Sequence, residues 1–283
     1  MAVADTVKVL MQGAWVGWKV ESNWTDPFVF LAYIIAKPIA SVFLIGLIFL
    51  IGSDAAGITD PEFFFYAFTG AIFFIYPATM AVSLGYLVHE DRAKYEVLKQ
   101  IYIAPESVKP YIFGRAAAAA INATVSVIVA YIIGTMTFGT FFGLDLGVNA
   151  LQVHYPLLIG SILLGVIAFS FLGLLLCAIN LFSFKLQYSL SEYTTGMMFL
   201  LSGVVFPVSM LPVVAQQLGY ALPTTYFLNL VRLALSNSSV PFITDLIYMI
   251  LGTIGFAIAS LLLFRLAEHK ARQKGMIDRK AEY

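Results

Sequence analysis

The sequence predicts an all-α integral membrane protein: six transmembrane helices, an N-terminal amphipathic interfacial helix, a short surface helix on the inner side, and a re-entrant outer hairpin between spans 5 and 6. Three observations predict it. Of 283 residues, 60% are hydrophobic and only 11% charged, against about 25% charged in a soluble domain. The apolar runs are continuous rather than alternating, and lipid offers the backbone no partners, so continuous runs must be helices. Basic residues gather in alternate loops, as topology requires. A surface this poor in charge excludes soluble enzymes. The 16 Lys+Arg balance 16 Asp+Glu, leaving no basic field for a phosphate backbone, so nucleic acid is excluded as a partner. The single cysteine excludes a disulfide framework or a thiolate cluster.

A span needs about 20 mostly apolar residues. Six runs qualify: 28–51, 63–88, 111–138, 156–182, 188–206 and 242–264. Charged residues Asp5, Lys8, Lys19, Glu21 and Asp26 fill the first 27 positions, so no cleavable signal peptide is expected. Lys8 and Lys19 precede span 1. Arg92, Lys94, Lys99 and Lys109 lie between spans 2 and 3, with Arg115 just inside span 3. Lys185 separates spans 4 and 5, and Arg265, Lys270, Arg272, Lys274, Arg279 and Lys280 follow span 6. The opposite loops carry Asp54, Asp60, Glu62, Asp145 and His154, with Arg232 alone after span 5. Both termini are therefore expected in the cytoplasm of a multi-pass cell-membrane protein, and an even span count requires the same.

Three segments do not read as spans. In 1–27, Val7, Leu10, Met11, Ala14, Trp15 and Trp18 make a helical apolar face containing tryptophan, which suits a helix lying in the interface. Residues 207–241 are apolar but broken by Pro207, Pro212, Pro223 and Pro241 into pieces half the length of a span, as in a re-entrant hairpin. Residues 89–105 are charged and end in Pro105, with Tyr95, Leu98, Ile101 and Tyr102 at helical spacing among Arg92, Lys94, Glu96 and Lys99. This stretch is either a surface helix offered to a partner or a solvated loop that fixes topology. The organisation is thus 1–27 interfacial helix, 28–265 six-span domain and 266–283 basic tail.

Two motifs give the sequence a family resemblance. Ser202-Gly-Val-Val-Phe-Pro207, Leu211-Pro212, Leu222-Pro-Thr-Thr-Tyr226 and Arg232 resemble the Ser-Gly-x-x-Phe-Pro…Leu-Pro…Leu-Pro-x-Thr-Tyr…Arg pattern of ABC-2 type transporter permeases. Glu90–Pro105, with Leu98 followed by Ala104-Pro105, is similar to that family's charged loop. Glu96 and Val97 stand where the family commonly has Gly and Thr, and Lys99 where it has Glu. Asn23-Trp-Thr-Asp-Pro27, leading into span 1, is also family-like.

The resemblance implies a permease subunit of an ATP-driven exporter of hydrophobic or amphipathic cargo such as a drug, lipid or lipid-linked glycan. It implies a coupling helix over about 90–104, with Glu90, Arg92, Tyr95, Glu96, Leu98 and Lys99 engaging a separate nucleotide-binding ATPase. It also implies a second permease copy or a related permease. Gly203, Pro207, Pro212, Pro223, Tyr226 and Arg232 would shape the outer hairpin. No Gly-x-x-x-x-Gly-Lys-Ser/Thr loop occurs, so this chain is expected to bind no cofactor and to hydrolyse nothing itself. ATP and Mg would sit on the partner ATPase, and membrane lipids surround the spans.

Single residues carry paired readings. Lys37, inside span 1, either snorkels to headgroups or faces a pathway with Glu192 as partner. Glu192 is either a solvated interface residue or part of the inner mouth. Arg232 either pairs with Asp245 or holds the hairpin. The aromatics Phe63, Phe64, Phe65, Tyr66, Phe68, Phe73, Phe74 and Tyr76 read as an interfacial belt or as pathway lining. Gly160, Gly165 and Gly173 permit close packing in span 4, with Cys177 a small packing residue beside them. None of His89, His154 and His269 has a ligand cluster nearby, so no metal is expected.

The alternative from another class is a stand-alone ion- or proton-coupled secondary transporter. Such carriers place acidic residues or His at mid-membrane and often show repeats. Spans 3, 4 and 6 have no charged residue in their central parts, and no repeat relates the two halves.

Overall fold

The computed structural model describes residues 3–22, 27–57, 60–95, 97–103, 108–143, 153–182, 189–236 and 241–273. Among them the regular structure is entirely helical: α1 (Val3–Ser22), α2 (Pro27–Ala56), α3 (Pro61–Phe73), α4 (Ile75–His89), α5 (Leu98–Ile103), α6 (Val108–Phe142), α7 (Tyr155–Phe182), α8 (Leu190–Leu201), α9 (Val213–Ala221), α10 (Pro223–Ser236) and α11 (Ile243–Gln273). A π turn at Glu90–Lys94 extends α4, and a 3-10 turn at Val208–Met210 precedes α9.

Among the described residues, four helices are long and apolar enough to cross a membrane: Pro61–Arg92, Val108–Phe142, Tyr155–Leu181 and Ile243–Gln273. They take in expected spans 2 and 3 whole and spans 4 and 6 to within one residue. The first expected span lies on the 30-residue α2, where Val42–Ser53 stands as a shorter apolar helix among the described residues. The fifth, expected over 188–206, lies on α8. That helix has 12 residues, about 18 Å at 1.5 Å each, well short of a hydrocarbon core of about 30 Å. It stops because the chain reverses at Gly203, whose φ of +71° is cheap only for glycine.

The core is built from α3–α4, α6, α7 and α10, and the rings of Phe49, Phe64, Phe68 and Phe138 interlock within it at centroid distances of 4.9–5.9 Å. The expected aromatic belt is thereby corrected. Phe64, Phe68, Phe73, Phe74 and Tyr76 are buried inside the bundle, while Phe63 is exposed. The sequence spacing was belt-like, but α3 is enclosed by α2, α6 and α10.

The N-terminal helix docks through its small residues. A Cβ on Gly17 would meet Ala118 Cβ at 2.8 Å, and one on Gly114 would strike the α1 backbone at Leu10 and Ala14. The Gly13/Gly17 and Gly114/Ala118 seam lets two helices approach closely. It also leaves Val7, Met11 and Trp15 exposed on the outer face of α1.

Candidate functional site

Two ends of one helix carry the candidate residues. The continuous run Pro61–Arg92 meets the loop to α6 at one end and the hairpin of α8–α10 at the other.

At the loop end, the surface helix expected across 90–104 is two pieces. The π turn holds Glu90–Lys94, with Tyr95 N–H donating to Glu90 O at 2.9 Å and Val97 N–H to Asp91 O at 2.9 Å. Tyr95 is half-buried at the bend, and α5 begins at Leu98. The wider π turn buries both Asp91, 1% exposed, and Arg92, 8% exposed. Glu96 lies outside the described residues, as do the side chains of Leu98 and Lys99. Tyr102 is buried, with Arg272 of α11 5.3 Å over its ring, and Ile103 is 71% exposed at the end of α5. Burial, and after it the Glu268 carboxylate, raise the Tyr102 phenol far above its ordinary range, so the ring stays neutral.

A buried ionic cluster that the sequence reading did not assemble lies behind the π turn. Arg115 is 1% exposed and sits between Glu90 Oε2 at 3.4 Å and Asp91 Oδ1 at 3.5 Å. Its Nη1 also donates to Tyr111 Oη at 3.2 Å, and Tyr111 donates to Asp91 Oδ2 at 3.0 Å. Glu21, from α1, accepts from Ser83 Oγ at 2.9 Å within the field of Arg115 and Glu90. Burial pushes the Glu21 carboxyl above its ordinary 4.5; the Ser83 hydrogen bond and Arg115 pull it back in part. One signal was available in the sequence: an arginine inside an apolar run needs a partner. Tyr111, one turn before Arg115 on the same helix, is within reach by spacing, but nothing in linear spacing pointed to Asp91 or Glu21.

At the hairpin end, Pro207 and Pro212 hold extended φ/ψ that start the 3-10 turn and α9, and Pro223 opens α10. Tyr226 Oη donates to Tyr220 O at 2.8 Å and its ring stacks on Tyr248 at 5.3 Å. Arg232 does not pair with Asp245, whose carboxylate takes the Asn229 side chain. Its guanidinium donates to Tyr66 O at 3.0 Å, Gly203 O at 2.9 Å and Val204 O at 2.8 Å, lies 3.5 Å over the Tyr66 ring, and is 7% exposed. Tyr66 Oη donates to Gly203 O at 3.0 Å. Of the two readings for Arg232, holding the hairpin is the one the geometry supports.

Glu192 is exposed on the first turn of α8; the Lys37 side chain lies outside the described residues. Gly165 and Gly173 meet Phe227 and Leu84, and Cys177 is buried, with its thiol donating to Leu84 O at 3.0 Å. Among the described residues, no three of His, Cys, Asp and Glu are grouped to hold a metal.

No curated protein matches this chain. A family model described as ABC-2 type transporter matches residues 9–236, a range that takes in the helices from α1 to α10, the loop-end cluster and the hairpin. With its apolar spans and most of its length inside that match, the chain is a membrane permease of the ABC-2 type transporter family.

Proposed function

We propose that this permease is the membrane subunit of an ATP-driven exporter, working with a separate nucleotide-binding ATPase that docks on the loop between α4 and α6. The observation that carries this is the loop end itself: a helical run of 32 residues, α3 and α4 joined through a turn at Phe74, that passes into a π turn and a short α5 projecting exposed Ile103. A partner gripping α5 would move that helix as a lever, and rigid-body motion of packed helices is how such machines switch. Both termini and this loop face the cytoplasm in this reading, and α9–α10 dips into the outer leaflet. The long α2 and the short α8, which reaches only part of the way across, stand for the other two of the six expected spans. Glu90, Arg92, Tyr95, Glu96, Leu98 and Lys99 make the coupling surface. A second copy or a related permease closes the pathway, with Lys37 and Glu192 near its mouth. The scarcity of charge in the spans, with 11% charged residues over the chain, favours hydrophobic or amphipathic cargo over small inorganic ions.

The test is a pull-down of tagged chain from native membranes, with mass spectrometry and an ATPase assay. Wild type should bring down a stoichiometric ATPase, and Leu98→Asp and Ile103→Asp should lose it while remaining monodisperse in detergent. Absence of an ATPase from folded wild type would sink the reading.

A further inference from the structure

The loop-end cluster binds more than the loop. The Arg115 stem lies on α1, where a Cβ on Gly17 would meet its Cδ at 3.1 Å and Nε at 3.3 Å. Its guanidinium meanwhile holds the two carboxylates of the π turn. Ser83 of α4 takes up Glu21 of α1 beside it. Three separate parts of the chain (α1, the α4 π turn and α6) therefore converge on one cation, flanked by Glu21, Glu90 and Asp91. The grouping is charged, enclosed and shared, whereas a solvated topology signal would leave Arg115 at the surface.

We infer that Arg115 is a positioning residue that fastens the π turn to α1 and α6, so that displacement of the loop carries the N-terminal helix with it. Asp91 and Glu90 fix the turn and Tyr111 orients Asp91. The Gly13/Gly17 and Gly114/Ala118 seam makes the contact stiff. Fastening is a property of this chain alone; its use in transport rests on the function proposed above.

The chain supplies its own reporter. Cys177 is its one cysteine, fully buried at Leu84 O and within electrostatic reach of Asp91 and Arg115. In membrane vesicles, wild-type Cys177 should react slowly with N-ethylmaleimide. Arg115→Ala should speed labelling about tenfold or more, because removing one member leaves buried carboxylates uncompensated. The exchange Asp91→Arg with Arg115→Asp should slow it again, and Arg115→Lys should fall between. Wild-type labelling in Arg115→Ala, or no rescue by the exchange in a protein that elutes as folded, would overturn the fastening.

With the co-purified ATPase present, ATP and vanadate should change labelling of a Trp15→Cys reporter on α1, in a Cys177→Ala background, for wild type but not for Arg115→Lys. Each response is normalised to that complex's own hydrolysis. A nucleotide response retained in Arg115→Lys would overturn the transmission role and leave the proposed function standing. If no ATPase is recovered, the proposed function falls, and the Cys177 labelling still decides the fastening.

Discussion

The two ends of the helix Pro61–Arg92 are each held by a buried arginine, and they are held in different ways. Arg115 meets carboxylates, Glu90 and Asp91, at 3.4 and 3.5 Å. Arg232 meets backbone carbonyls of Tyr66, Gly203 and Val204 at 2.8–3.0 Å. The first arrangement is a contact between side chains that charge can redraw. The second is built into the path of the main chain, with the Tyr66 ring stacked on the guanidinium and no carboxylate to exchange. The loop end can be rewired by substitution; the hairpin end can only be broken.

The largest expected effect is therefore at the hairpin. Arg232→Met leaves buried Val204 O without its donor, at about 1–3 kcal/mol. It also removes the charged bonds to Gly203 O and Tyr66 O, which keep Tyr66 Oη and Thr69 Oγ1 as side-chain donors, together with the contact on the Tyr66 ring. A loss of about 5 kcal/mol is expected, seen as failure to elute as a folded peak by fluorescence-detected gel filtration. Arg232→Lys should recover only part of it: the three carbonyls all accept from Nη2, which one ammonium can imitate, but the Nε bond to Tyr66 O and the planar group over the Tyr66 ring are lost. A well-folded Arg232→Met would remove the distinction between the two ends.

Next comes the loop end. Arg115→Ala should cost about 3–5 kcal/mol, the toll of an uncompensated buried ion pair, while Arg115→Met with Glu90→Gln and Asp91→Leu should come within about 1 kcal/mol of wild type or exceed it. Thermal midpoints in one detergent would show the recovery, and equal losses for the single and triple variants would show that Arg115 matters for its shape alone.

Gly114→Ala should cost about 1–3 kcal/mol by overpacking the α1 seam, since its Cβ meets α1 backbone rather than a yielding side chain. Faster trypsin cleavage after Lys19 would report the loosened helix.

The smallest effect concerns pH. The folded Glu21 carboxyl titrates above its ordinary 4.5, so the folded state binds more protons than the unfolded chain. That contribution to stability is whole below 4.5 and is lost as pH rises through the folded value. Glu21→Gln should gain on wild type over that rise, and parallel pH profiles for the two would show that the group is solvated.

Much of the architecture was open to sequence reading, because a lipid environment leaves few options. Continuous apolar runs have to be helices, so the helical class and spans 2, 3, 4 and 6 followed from composition and run length. The prolines at 207, 212 and 223 divided the hairpin for the same local reason: their φ is fixed wherever they stand. The motif containing Gly203 and Arg232 was readable as a pattern, but its mechanism was not. Tyr66, the third member, lies 166 residues from Arg232.

What the sequence determined alone is what depends on the chain and its solvent: membrane residence, helical class, the break points and the family pattern. What only the tertiary structure decided depends on which surfaces meet. It ended α8 at 12 residues, turned an aromatic belt into core, split the surface helix into a π turn and α5, and gathered Glu21, Asp91, Tyr111 and Arg115 around one charge. Linear spacing encodes the cost of burying a charge, but the partner that offsets it is chosen by packing between helices.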